Sequence, residues 1–197
     1  MNPYHIRLAE KKDVPSILDI YAPFILNTIT SFETKVPTID EYYQRIQKIL
    51  EESPFLVCTH QSKVIGYAYA SPHRSRQAYA WNREVSVYVA NDFHGKKIAS
   101  ALYTALFELL QLQGYANVLA GIAQPNPASV AFHRKMGFKL VGTYEKVGHK
   151  FGKYVDTQWW ALFIGEESAK EIKPLEQILI TEEGKTAIEK GLSYIKP

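Results

Sequence analysis

The chain holds a single cysteine, Cys58, among 197 residues. One thiol can neither close a disulfide within the chain nor build a thiolate metal cluster, and a reducing compartment is the expected setting. No apolar run approaches the roughly 18 residues that a membrane span needs. The opening residues, MNPYHIRLAEKKD, carry no hydrophobic leader segment, so a cytoplasmic rather than a secreted protein is expected. Charge of one sign is not in excess either. There are 23 Lys and Arg against 20 Asp and Glu, a net +3, too little to argue for nucleic acid, and the basic residues are dispersed with no base-reading motif. Internal repeats and low-complexity segments are also missing. What remains is ordinary in bulk: 46% hydrophobic and 22% charged residues, enough for one sizeable core in about one domain's length. Aromatics are plentiful, 13% with thirteen tyrosines, and suit amphipathic pocket walls.

Apolar periodicity orders the chain. YHIRLA (4–9) reads as a strand. Asp13 caps a helix with Pro15 in its first turn, and Ile17, Ile20, Tyr21 and Phe24 recur at helical spacing. After a loop over 27–37, Thr38 and Glu41 form a capping box for a second helix to about Glu51. Strands follow at 54–60 and 63–70, then a basic polar loop (71–77), a long strand (78–90) and a turn (91–97). Residues 98–114 form an amphipathic helix stopped by Gly114. A buried strand (117–123), a loop, a short helix ending at Gly137, and strands near 139–147 and 154–164 complete the pattern. The order β-α-α-β-β-β-α-β-α-β-β predicts an α/β (α+β) fold, a mixed sheet covered by helices. One domain spans 1–165. Residues 166–197 form a charged C-terminal extension with seven Glu and five Lys. Ile188, Leu192 and Ile195 are helically spaced there, and a packed or partner-binding helix and a loosely attached appendage both fit.

The chemistry concentrates in EVSVYVANDFHGKKIASALYTAL (84–106). A strand enters a turn and then a helix with two lysines at its mouth, where first-turn N–H groups and the helix dipole favour an anion such as pyrophosphate. The spacing is neither a P-loop nor a three-glycine dinucleotide fingerprint, and a merely solvated basic helix start fits these residues as well. NPASVAFHRKMGF (126–138) adds an Asn at a loop–helix junction, a small residue three on, an aromatic at +6 and a closing Gly-Phe. Together the two segments resemble the GNAT superfamily of acyl-coenzyme A-dependent N-acetyltransferases over about residues 4–164. AYAWNREVSVYV, SALYTAL, PNPASVAFHRKMGF and GHKFGKYVDTQWW resemble its phosphinothricin and methionine sulfone acetyltransferase branch. The resemblance implies the GNAT fold, here a mostly antiparallel seven-stranded sheet flanked by helices. It also implies acetyl-CoA as cosubstrate, no metal, a small-molecule amine, a homodimer, and no nucleic-acid or membrane partner. Two positions depart from the pattern: His94 stands where Gln or Arg is usual, and Lys97 where the central Gly is usual. If position 97 requires a positive φ, Lys costs roughly 1 kcal/mol relative to Gly there, which a phosphate contact offsets.

The resemblance assigns roles residue by residue. Glu84 is the base that takes a proton from the ammonium, directly or through water, and an ordinary strand-edge glutamate is the plainer reading. Backbone groups of Val87, Tyr88 and Val89 hold the pantetheine arm as an added strand. His94, Gly95, Lys96, Lys97, Ile98, Ala99 and Ser100 hold the pyrophosphate. Asn126 contacts the pantetheine or adjacent backbone, and Ser129, three residues on, also belongs to the cofactor site. His133 stands where many members carry a tyrosine acid for the leaving thiolate, with helix packing as the alternative. His149 is expected near the substrate, where it assists proton removal or lines the pocket. His94, His133 and His149 have no ligand spacing, so a metal site is not expected. Arg74 and Arg76 are candidates for a substrate carboxylate, Phe32 and Glu33 for the rim, and Tyr79 and Trp81 for the pocket wall. The implied activity is acetyl transfer to the α-amine of a small amino-acid-like molecule. Acetylation of a protein or peptide amine or a polyamine is the second reading, and non-catalytic acyl-CoA binding the third.

Overall fold

A computed structural model describes residues 3–195 of the chain. Seven strands form one sheet in the order β1-β2-β3-β4-β5-β7-β6. They are β1 (Tyr4–Leu8), β2 (Phe55–His60), β3 (Lys63–Pro72), β4 (Asn82–Val89), β5 (Asn117–Ala123), β6 (Lys139–Lys150) and β7 (Lys153–Phe163). Every neighbouring pair is antiparallel except β4 and β5. Helices α1 (Val14–Asn27) and α2 (Ile39–Leu50) cover one face, and α3 (Ile98–Gln113) covers the other. Further helices are α4 (Pro127–Lys135), α5 (Leu175–Leu179) and α6 (Glu182–Leu192).

Local chemistry accounts for these elements. Thr38 Oγ1 accepts from the Glu41 N–H, and Glu41 Oε2 accepts from the Thr38 N–H at 2.7 Å, closing the capping box that starts α2. Phe55–Thr59 are all buried because helices lie on both sides of β2. Such a strand reads as a continuous apolar run rather than an alternation. On β4, Val85 and Val89 pack toward α3. Tyr88 takes the opposite face, its ring 5.0 Å from Tyr21 and 5.2 Å from Phe24 on α1.

Three expectations need correction. Residues 78–81 are not strand: Gln77–Tyr79 form a 3-10 turn. The Trp81 indole N–H donates to the Lys170 carbonyl at 2.7 Å, and the Trp81 carbonyl accepts from Ala116 and Asn117. These bonds commit the backbone before β4 begins. Asp13 does not cap α1. It has helical dihedrals, and its carboxylate accepts from Arg7 at 2.6 and 2.8 Å and from the Glu10 N–H at 2.8 Å. Burial raises its pKa, but these bonds outweigh that and hold it below the usual carboxylate value. Finally, α3 is not half solvated. Ala101 through Phe107 are buried around the whole circumference, because α6 packs along the helix in addition to the sheet.

That cover comes from residues 175–192. Leu175, Ile178 and Ala187 are buried, as is Ile195 just beyond α6, with Ile188 and Leu192 packed against the same core. Gly191 fits so closely that a Cβ would stand 2.6 Å from the Ala101 carbonyl oxygen. Among the described residues no helix is long and apolar enough to cross a membrane.

Candidate active site

The site begins where two strands part. β4 and β5 pair only from Asn82–Asn117 to Glu84–Leu119. Beyond Glu84, β4 stays with β3 as far as Val89–Gly66, while β5 continues with β7 as far as Ala123–Thr157. Backbone groups of β4 past Glu84 therefore face an opening instead of a neighbouring strand. Val85, Ser86, Val87 and Tyr88 line it on one side, Ala120–Ala123 on the other, and Tyr103, Asn126, Ser129 and His133 also face it.

A groove of about 470 Å³ continues this opening to the mouth of α3. Its walls include Val87, Tyr88, Val89, His94, Gly95, Lys97, Ile98, Ala99, Ser100, Asn126 and Ser129. First-turn amides of α3 have no acceptor within the helix and point out of its end. Gly95 (φ +77°) has nothing within 4 Å of where a Cβ would stand, so a ligand can approach its backbone. Lys97 adopts φ +63°, ψ +13°, the left-handed region that Gly fills without strain. The His94 Nε2–H donates to the Val89 carbonyl at 3.0 Å and ties the loop to β4. Lys96 is the exception among the expected cofactor residues: its ammonium sits over the Phe93 ring, 4.6 Å from the centroid. Asn126 caps α4, its Oδ1 accepting from the Ser129 N–H at 3.1 Å. Unpaired amides at a helix mouth and an open strand edge fit a diphosphate and an amide-bearing arm.

His133 is buried. Its Nδ1–H donates to the Ser129 carbonyl at 2.9 Å, and the Tyr103 hydroxyl donates to its Nε2 at 3.3 Å. Burial lowers its pKa, opposed by the Ser129 carbonyl, so the neutral ring is favoured and both nitrogens are occupied.

A second cavity, about 680 Å³, lies across Tyr88 from the groove. Tyr21, Ser31, Phe32 and Glu33 line one side, and Gly121, Tyr144, Val147, Thr157 and Trp159 the other. Tyr21 and Ser31 hydroxyls are 2.8 Å apart, Tyr21 donates to Glu33 Oε1 at 3.1 Å, and Arg45 donates to the same oxygen at 2.5 Å. Burial pushes the Tyr21 pKa up to about 12, so it stays a neutral donor. Thr157 Oγ1 and Trp159 Nε1 are buried without a protein partner.

Glu84 stands at the point where the strands part. The His73 Nδ1–H donates to its Oε1 at 2.8 Å, and the His73 ring meets Trp159 edge-on at 5.7 Å. The pair therefore sits one aromatic ring behind the pocket wall.

The structure gathers Phe32, Glu33, Tyr88 and the groove residues, but not every residue singled out from the sequence. Arg74 and Arg76 face a different cavity, about 580 Å³, with Glu52, Arg83 and Lys173. The Arg74 guanidinium covers the Tyr79 ring at 5.4 Å, and Tyr79 does not line the cavity beside Tyr21 and Trp159. This follows from the turn that replaces strand at 77–79. His149 is exposed on the outer face of the β6–β7 hairpin, its ring 5.3 Å from Tyr154. Its neighbour Lys150 is the inward residue, because successive strand side chains alternate. Sequence reasoning missed His73, Tyr103, Lys150 and Trp159. Only the alternation of Val155, Thr157 and Trp159 along β7 carried a signal. Cys58 is fully buried and burial pushes its pKa up to about 12, which suits packing and not nucleophilic work. Among the described residues no three His, Cys, Asp or Glu cluster to hold a metal.

The chain is similar to known proteins. A family model described as an acetyltransferase (GNAT) domain matches residues 6–159. A phosphinothricin N-acetyltransferase of Streptomyces coelicolor is 37% identical over 159 residues, covering 79% of this chain and 93% of its own. An L-methionine sulfoximine/L-methionine sulfone acetyltransferase of Pseudomonas aeruginosa is 33% identical, covering 80% of this chain and 92% of its own. A crystal structure of a GNAT superfamily phosphinothricin acetyltransferase from Sinorhizobium meliloti in complex with AcCoA superposes with a TM-score of 0.79 at 32% identity, covering 87% of this chain and 94% of that one.

Proposed function

The chain belongs to the GNAT acetyltransferase family, and on that premise we propose that it moves the acetyl group of acetyl-CoA to the α-amine of a small amino-acid-like substrate of the phosphinothricin, methionine sulfone or methionine sulfoximine type. One observation carries the reading: the β4–β5 strands part at Glu84, with an anion-suited groove and a walled pocket meeting at Tyr88. Acetyl-CoA supplies the activated acetyl group. The amides of Gly95 and Lys97–Ser100 hold its diphosphate, and the open edge of Val87–Val89 pairs with its amide arm. The amine sits between Phe32 and Trp159. Glu84, acting through an intervening water, takes the ammonium proton, and His73 holds its carboxylate in place. The neutral amine then attacks the carbonyl carbon directly. A backbone N–H of Val87–Val89 donates to the carbonyl oxygen as negative charge develops there. The sulfur, whose thiol has a pKa of about 8.5, leaves as the thiolate without an acid and takes up the proton that the acylated nitrogen sheds, so His133 serves to position Ser129 and Tyr103 instead of delivering a proton.

Cations tied to the pocket's loop are Arg45, through Glu33, and Lys150, through the Ser31 carbonyl. Arg74, Arg76, Tyr79 and His149 receive no substrate role in the single chain. A homodimer is part of the proposal, with a second copy on the β6–β7 face, where Leu140, Val141, Phe151 and Tyr154 are exposed.

The test is release of free thiol from acetyl-CoA against a panel of amino acids, their sulfones and sulfoximines, polyamines and peptides. Turnover confined to the sulfone, sulfoximine and phosphinothricin amines supports the proposal. Preference for peptides or polyamines, or tight acetyl-CoA binding without turnover, overturns it.

A further inference from the structure

The loop between α1 and α2 supplies four residues to the amine pocket, Thr30, Ser31, Phe32 and Glu33. Its own ties are local: Thr28 Oγ1 donates to the Phe24 carbonyl, and the Thr30 N–H donates to Thr28 Oγ1. Tyr21 and Arg45 bond the Ser31 and Glu33 side chains at its tip, and the tip's backbone is held from 119 residues away, where Lys150 Nζ donates to the Ser31 carbonyl at 2.5 Å. Lys150 is only 4% exposed. A buried ammonium is costly unless something specific compensates it. Here the compensation is that carbonyl, together with the Glu33 carboxylate, which opposes the fall in its pKa caused by burial.

Gly148, two residues earlier on the same face of β6, makes the second contact. A Cβ there would stand 2.4 Å from the Phe32 ring. The register explains why both residues face inward. Between Tyr144–Thr157 and Gly148–Val155, β6 carries three residues against one on β7. This bulge adds an even number of residues, so Tyr144, Gly148 and Lys150 keep the pocket face and His149 is turned outward. From beneath, the Tyr21 hydroxyl meets Ser31 Oγ and Glu33.

We propose that Lys150 and Gly148 latch the 28–33 loop over the amine pocket, which makes Lys150 a specificity-determining positioning residue for the amine. The inference rests on the amine site proposed above. Lys150 does not line the pocket and touches no reacting atom. It acts through Ser31, setting where Phe32 and Glu33 stand. Only Thr30 of the loop also borders the acetyl-CoA groove, so the latch governs one substrate far more than the other.

Three full-length variants test it. Lys150→Met keeps the stem and removes the donor, Lys150→Arg restores a cationic donor, and Gly148→Ala pushes the Phe32 ring while leaving the buried cation in place. Hydrogen exchange in the ligand-free protein comes first. In Lys150→Met, amides of 28–33 exchange about tenfold faster while those of 98–113 are unchanged, and Lys150→Arg restores much of the protection. In turnover, Lys150→Met raises KM for methionine sulfone about tenfold, with kcat and the acetyl-CoA KM within about twofold. Gly148→Ala changes the kcat/KM ratio of methionine sulfone to phosphinothricin by about threefold or more. Should Lys150→Met not fold, Gly148→Ala carries the test, and an unchanged ratio overturns the proposal. Unchanged exchange at 28–33, or an equal rise in both KM values, also overturns it. If the wild-type protein acetylates none of these amines, the functional proposal fails, and exchange alone decides the latch.

Discussion

The His73 Nδ1–H donates to Oε1 of Glu84 at 2.8 Å, one ring behind Trp159. This bond fixes the carboxylate where β4 and β5 part and, under the proposed mechanism, offers a relay for the proton that Glu84 takes. Glu84→Gln is therefore expected to lower kcat by about 10² to 10³, with both KM values within a few-fold. His73→Phe keeps the ring contact and loses the donor, and is expected to lower kcat about tenfold. Steady-state thiol release with saturating acetyl-CoA measures both, and a fully active Glu84→Gln would remove Glu84 as the base.

Lys97 carries a left-handed backbone at the mouth of α3, φ +63°. Lys97→Gly relieves about 1 kcal/mol of strain, which raises Tm by about 2–4 °C in a chain of this size. The same change removes a cation from the groove and is expected to raise the acetyl-CoA KM several-fold. Calorimetry and steady-state kinetics on one preparation read the two effects with opposite signs. A variant that is both less stable and unchanged in KM would contradict this account.

Stability should depend on pH through His133. Burial lowers its folded pKa below 6.5, so below that pH the unfolded chain binds a proton that the folded chain does not. The stabilisation is complete above about pH 6.5 and is lost as pH falls from there through the folded pKa, at no more than about 1.4 kcal/mol per pH unit. Asp13, held below its ordinary 3.8, acts only at lower pH. Urea unfolding at pH 7.5 and 5.5 is expected to show this loss in the wild type and a smaller one in His133→Gln.

Gly191 touches the backbone of α3. A Cβ there would stand 2.6 Å from the Ala101 oxygen and 2.8 Å from the Ala105 Cβ. Gly191→Val is expected to lift α6 and destabilise the protein by about 2–3 kcal/mol. Lys190→Ala, which removes an exposed pair with Glu108, is expected to change stability by less than about 1 kcal/mol. Thermal melts of the two variants separate packing from charge, and similar melts would argue against close docking.

The order of strands and helices, the capping box at Thr38 and Glu41, and the helix mouth at Lys97–Ser100 were legible in the chain itself. Each is set by neighbours within a few residues: period-two or period-3.6 burial, a side chain bonding its own helix end, a glycine beside a turn. The loop–helix junction at Asn126 also read directly, because its side chain bonds its own helix end. Which residues share a pocket was not legible. Residues 77–79 coil because Lys170 and Ala116 take the hydrogen bonds of Trp81, which carries Arg74, Arg76 and Tyr79 away. His149 faces outward and Lys150 inward through a register that only the pairing of β6 with β7 defines. His73 reaches Glu84, and Lys150 reaches Ser31, across 11 and 119 residues. Local sequence dictates elements because their energetics are local. Contacts across the sheet depend on register, and register is settled only when the whole core packs.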